Sequence, residues 1–146
     1  MKISAKSRYA LAALVCMGQP RATETVTVIS LSETLGISKI YLEQVFSLLK
    51  RGGVVVSSKG AQGGYRLARP AQDITAHDIL AAVEVALFEP AGSAVADKAP
   101  DIEHALQTQL FTPLDAALHE SLRSITLDTL IARAEEHGSE GYMYYL

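Results

Sequence analysis

Glu43 and Gln44 stand side by side in the run 38–53, SKIYLEQVFSLLKRGG, and both side chains can read the edge of a base. A glutamate accepts from cytosine N4, and a glutamine bonds adenine N6 and N7 together. Ser38, Lys39 and Tyr41 precede them and suit phosphate oxygens, helped by the positive end of a helix that starts there. Leu42, Val45 and Leu49 recur on the opposite side, so one face packs inward and the other is left to read.

Other constellations are weaker. Asp115 and His119 lie at i, i+4 and Asp101 and His104 at i, i+3, which could supply two metal ligands each. Neither has a third ligand at matching spacing, so His77, His104, His119 and His137 read as surface histidines and no metal is expected. No nucleophile stands beside a base, and the chain is not expected to be an enzyme. The glycine-rich run 59–64 joins strand to strand, whereas a phosphate cradle follows a strand and opens a helix. Cys16, the single cysteine, excludes an internal disulfide and any multi-thiolate site within one chain. Its apolar helical setting makes it a small core residue, with a thiol-redox switch as the sharper alternative.

Stepping out from the reading residues, the chain is strongly polarised. Residues 1–70 hold ten Lys and Arg against three acids, +7, and residues 71–146 hold three against thirteen, −10. A basic half suits a polyanion, and an acidic remainder faces away from it. With 49% apolar residues in 146, one modest domain can bury a core, or a small domain can carry an appendage. No run has the length of a membrane span. The N-terminus is loosely like a leader, but its apolar part, 10–17, is short and no cleavage site precedes a secreted-type domain. A cytoplasmic first helix is the expectation.

The elements follow from caps and periodicity. Ser4 caps a first helix to about Met17, stopped by Gly18 and Pro20. Thr27 caps a second over 28–35, and Gly36 is placed to end it in the left-handed conformation. Ser38 then caps a third, which runs to Gly52 and Gly53. Two helices across so tight a glycine turn form a helix-turn-helix. Residues 54–58 and 65–68 read as strands of a hairpin with the basic tip Lys59–Gly60. Thr75 and Asp78 make a capping box for a helix to about Val83. Helix-turn-helix plus hairpin wing is a device for duplex DNA.

After a loop over 88–100, Ile102, Leu106, Leu110, Leu114, Leu118 and Leu122 recur every four residues. That stripe exceeds what a small core needs, so it is expected to join two copies of the chain, with packing inside one subunit as the alternative. Pro113 should kink or split this helix. Thr126 caps a last helix to about His137, ended by Gly138, and the aromatic tail that follows is expected to pack. The fold class is therefore mainly α with a small β-hairpin wing, residues 1–83 forming the winged helix-turn-helix and 84–146 a sensor loop and dimerisation helices.

The motifs Lys6-Ser-Arg-Tyr-Ala-Leu11, Gly36-Ile-Ser38, Tyr41-Leu-Glu-Gln44, Gly63-Gly-Tyr65-Arg-Leu67 and Ile125-Thr-Leu-Asp128 resemble the BadM/Rrf-two family of bacterial winged-helix regulators over nearly the whole chain. The resemblance implies a homodimer on a pseudo-palindromic operator, acting as a repressor. It puts Lys2, Ser38, Tyr41, Glu43, Gln44, Lys59 and Gly60 at the DNA, and Lys6, Val28, Lys39 and Tyr65 are expected beside them. Lys59 stands where Arg is usual, and a point charge lacks Arg's planar fork. Ala61-Gln62 replaces a common Pro-Gly. Members that sense iron–sulfur status carry three cysteines in the loop that is 88–100 here, and this loop has none. Arg8 and Ala12 fall where some relatives lend an extra ligand, and neither is suitable. Cluster binding needs thiolates, so no cofactor is expected and the effector, small molecule or protein, stays open. The rival classes are a protein-interaction module that keeps the fold without reading DNA, and a metal-dependent enzyme using Asp115 and His119.

Overall fold

The computed structural model describes residues 2–20, 25–60 and 63–144, with side chains as far as Gly138. Three helices are set by hydroxyl caps, as their sequences require. The Ser4 hydroxyl accepts from the Ser7 N–H at the start of α1, Ala5–Met17. Thr27 accepts from Ser30 before α2, Val28–Leu35, and Ser38 accepts from Tyr41 before α3, Lys39–Arg51. Each such cap is worth about 1 kcal/mol. Gly36 closes α2 at φ +68°, a conformation that costs a side-chain-bearing residue energy, and the Ser32 hydroxyl donates to the Ile37 carbonyl across the turn. The third helix is thus fixed by chemistry within a dozen residues.

The wing is a two-stranded antiparallel hairpin of β1, Val55–Ser57, and β2, Tyr65–Leu67, paired Val55 to Leu67, Val56 to Arg66 and Ser57 to Tyr65. Val26 adds a bridge on its far side, exchanging two backbone hydrogen bonds of 2.8 and 2.9 Å with Tyr65. Gly64, at φ +126°, sits where an added Cβ would meet the Val26 carbonyl oxygen at 2.8 Å. Past the wing, the Thr75–Asp78 capping box starts α4, Ala76–Val83, followed by a short 3-10 turn, Val85–Phe88.

Arg69 ties these pieces together. Its guanidinium donates to the Asp73 and Gly53 carbonyls and to the Asp78 carboxylate at 2.8 Å, so it joins the end of α3, the wing and α4. Burial pushes the Asp78 carboxyl up, but the Thr75 N–H and hydroxyl and the Arg69 charge outweigh it and hold the group below its ordinary value.

Of the kink or split expected at Pro113, the leucine-rich segment shows no split. Helix α5, Pro100–Leu106, passes through one π turn, Gln107–Phe111, into α6, Thr112–Ser124, without a break. In a regular helix the proline ring would press on the Gln109 carbonyl, and the wider turn just before it takes up that conflict. The last helix, α7, Leu127–Tyr144, also runs on, through the Gly138 expected to end it. Gly138 has no positive φ, so it is an ordinary helical residue and not a cap. The tail side chains lie outside the described residues.

One core runs through the molecule. Leu14, Leu31, Leu42, Val45, Phe46, Leu49, Val54, Ile74, Ile79 and Leu127 are all essentially inaccessible to solvent. Leu127 and Ile131 of α7 belong to it, so the last helix packs on the helices before Val83. Backbone bonds clamp the two linkers there, Ala76 N–H to Ile125 and Leu127 N–H to Ile74, both 2.8 Å.

Candidate nucleic-acid interface

The inward face of α3 is committed to the core through Leu42, Val45, Phe46 and Leu49. What remains outside is Ser38, Lys39, Ile40, Glu43, Gln44 and Ser47, all exposed. Ile40, Glu43, Gln44 and Ser47 stand at i, i+3, i+4 and i+7, which stacks them on one stripe. Lys6 of α1 and Leu48 flank that stripe, and together the six line an open groove of about 480 Å³. Lys39 and Glu43 form an ion pair at 3.8 Å with both side chains about half exposed. A solvated pair of this kind contributes roughly 0.5 kcal/mol at most, so Glu43 can exchange it for another donor at little cost.

Lys2, Lys59 and Gly60 are exposed, the last two at the wing tip. Ala61 and Gln62 lie outside the described residues. Arg66 of β2 faces outward opposite Val56, a second wing cation. Among the described residues Lys2, Lys59 and Arg66 enter no ion pair.

Three residues assigned to the interface sit otherwise. Val28 is half-buried against the core at the first turn of α2, and its exposed neighbour is Ile29. The Tyr65 ring packs on Phe46 with centroids 4.8 Å apart, so it anchors the wing from beneath. Tyr41 is half-buried edge-on against Tyr9 of α1, at 5.2 Å and 83°. Val28 and Tyr65 thus have part of their surface committed to the core, where an apolar or aromatic side chain gains from burial. Ile40, Ser47 and Arg66 were missed by the residue types alone. Counting three and four residues around Glu43 and Gln44 would have found the first two, and strand alternation the third.

Away from α3, the loop before α5 is held by a carboxylate. Glu103, nearly buried, accepts from the Ala94 and Val95 N–H groups, each at 3.0 Å, and from the Gln107 amide at 3.1 Å. The Val95 N–H foremost, then Gln107 and Ala94, hold its acid form well out of favour. A second carboxylate, Glu84, takes hydrogen bonds from the Ser4 and Ser7 hydroxyls and so ties α1 to the end of α4.

His119, expected to pair with Asp115 if it bound metal, instead meets His77 of α4. His77 Nε2 and His119 Nδ1 are 2.7 Å apart, and both rings stack on Phe88. Burial, then the Arg123 charge and the His119 ring, hold His77 below its ordinary value against the pull of Asp78. One ring nitrogen must accept, so the contact requires a neutral imidazole. Among the described residues no three His, Cys, Asp or Glu side chains gather to hold a metal ion. Cys16 is half-buried beside the core, and burial pushes its thiol up. A raised thiol is a poor nucleophile, which speaks against the redox assignment.

The stripe of the long helix stays uncovered. Ile102 and Leu114 are 59% and 57% exposed, Leu110 and Leu106 are exposed as well, and only Leu118 and Leu122 are half-buried.

A helix-turn-helix whose second helix presents such a face, backed by a hairpin wing, defines a winged-helix protein. The Rrf2 family model, described as an iron-dependent transcriptional regulator, matches residues 3–133, and the chain belongs to this family of transcription regulators. It is 32% identical to the HTH-type transcriptional regulator CymR of Bacillus subtilis over 146 residues, covering 100% of each. To the HTH-type transcriptional regulator IscR of Cereibacter sphaeroides it is 45% identical over 86 residues, 58% of this chain but only 56% of that protein. Among solved structures, IscR of T. potens superposes with a TM-score of 0.73 at 34% identity, over 99% of this chain and 97% of that one. No helix among the described residues is long and apolar enough to cross a membrane.

Proposed function

We propose that this chain is a cytoplasmic, homodimeric repressor that reads a pseudo-palindromic operator without an iron–sulfur cluster. The observation that carries the reading is the outer stripe of α3, where Glu43 and Gln44 stand exposed between lysines and above a rigid core. Glu43 accepts from cytosine N4 and Gln44 bonds adenine in the major groove. Ser38, Lys39, Lys2 and Lys6 hold phosphates, and Lys59 with the Gly60 backbone meets the flanking backbone or minor groove. Tyr41 shapes the floor of this face from its contact with Tyr9.

Residues 1–83 read DNA in this account, and 84–146 join the protomers and sense. Leu106, Leu110, Leu114, Leu118 and Leu122 form the dimer contact, because an exposed apolar stripe of this length gains stability by facing its own copy. The donors around the 88–100 loop do not fit a cluster. It holds no thiol, and the Glu103 carboxylate is occupied by two amides and Gln107. The signal is then a small molecule or partner protein. Selection from random duplexes, followed by gel shift, tests the reading. A two-fold-related site should emerge, and Gln44→Ala should lose roughly tenfold or more of its preference at one base pair per half-site. Unchanged base preference in that variant would sink the role of Gln44, and recovery of no site at all would sink DNA reading.

A further inference from the structure

Ile40 is 71% exposed, the most exposed large apolar side chain among the described residues. Nothing local accounts for it. It lies outside the core, and Ser38, not Ile40, supplies the helix cap. A β-branched residue is also no asset to the first turn of a helix. Its place in the groove is informative, since Glu43 and Gln44 lie one turn on along the same stripe and Lys6 stands across from them.

We infer that Ile40 reads the C5-methyl group of a thymine. This rests on the assignment of α3 as the helix that enters the major groove, whose first turn lies nearest the base edges. Around Ile40, Glu43 offsets Lys39 and leaves Lys6, and the +7 of residues 1–70 favours a polyanion as the occupant of this face. Within the major groove the thymine methyl is the apolar group that projects from a base edge, and the donors and acceptors beside it are groups Ile40 cannot satisfy. Contact covers the isoleucine and the methyl together and makes the first turn of α3 sensitive to an A·T pair. Glu43 and Gln44 specify the neighbouring pairs.

The full chain is tested on its selected operator with each thymine replaced in turn by deoxyuridine, which removes only the methyl. One thymine per half-site should show about fourfold weaker binding, the value of one buried methyl, and roughly fifteenfold when both half-sites are changed. Ile40→Ser should bind uridine and thymine operators equally at that position, while its preferences at the Gln44 pair persist. Ile40→Val should keep most of the difference. Indifference of the wild type to every uridine overturns the inference, as does a uridine effect that survives Ile40→Ser. A second arm methylates cytosine C5 and should change nothing; tightening there, with indifference to uridine, overturns thymine as the source. A protein that selects no DNA overturns both the inference and the reading beneath it.

Discussion

Two helices leave a long face uncovered, and the faces are chemically opposite. The outer stripe of α3 is polar with a single isoleucine and is flanked by lysines, and behind it α3 is fully packed. The outer stripe of α5 and α6 is a row of leucines on the acidic half of the chain. A polar face next to water costs nothing while it waits for a hydrated polyanion. A leucine row next to water forfeits burial, so it favours permanent cover. The contrast teaches that the first face suits a contact made and broken, and the second a contact kept.

The largest effect should come from charging the leucine row. Leu110→Asp puts two carboxylates into a symmetric contact and should weaken self-association on the order of a thousandfold, with a monomer seen by sedimentation. Operator affinity should fall with it, since each protomer then holds one half-site alone. A dimer that survives this change removes the row from the interface and collapses the contrast.

Next in size is the carboxylate that braces the loop before α5. Glu103→Ala strands the Ala94 and Val95 N–H groups and should speed their hydrogen exchange about tenfold, the effect of roughly 1.4 kcal/mol. Glu103→Gln, which keeps an acceptor, should do less. Glu103 also has a folded value below its ordinary 4.5, so its contribution is present above that pH and is lost as acid carries the group through its folded value. Equal exchange in both variants would mean the loop is held by other contacts.

Lys59→Ala should weaken DNA binding evenly across sequences and flatten the salt dependence by about one unit. Arg66, exposed on the same wing, is the residue to test beside it. A slope that does not move takes the wing off the phosphates.

The smallest effect lies at the seam between the two regions, where His77 of α4 meets His119 of α6. His77 is held below its usual value of 6.5, so the unfolded chain binds the proton more readily. Stability is therefore full above pH 6.5 and declines as pH falls below it. The melting temperature of His77→Phe, which keeps a ring against Phe88, should be flatter over that range. A slope identical to the parent would assign the dependence to other groups.

The elements up to Val83 were legible because their signals are local. Ser4, Thr27, Ser38 and Thr75 each cap the helix that follows within three residues, and Gly36 ends α2 in the conformation its lack of a side chain permits. The departures are places where a helix continues through a residue that usually interrupts it. Pro113 is expected to kink or split a helix that a π turn keeps whole, and Gly138 to stop a helix that runs on. At the candidate interface, Glu43 and Gln44 could be picked by type, but the packing of Val28 and Tyr65 could not be read from type. It depends on Phe46 and the rest of the core lying beneath them.

By itself the sequence determined the order of elements, the polarity of the two halves and which residues on α3 have base-reading chemistry, since caps, charge and period act over a few residues. Tertiary structure alone decided that Arg69 clamps three segments and Glu103 braces the loop. It also paired His77 with His119 instead of His119 with Asp115, and set Ile40 beside Glu43 and Gln44 in one groove with Lys6. Those contacts join residues with no fixed relation along the chain, and only the packing of the core brings them within hydrogen-bond or van der Waals reach.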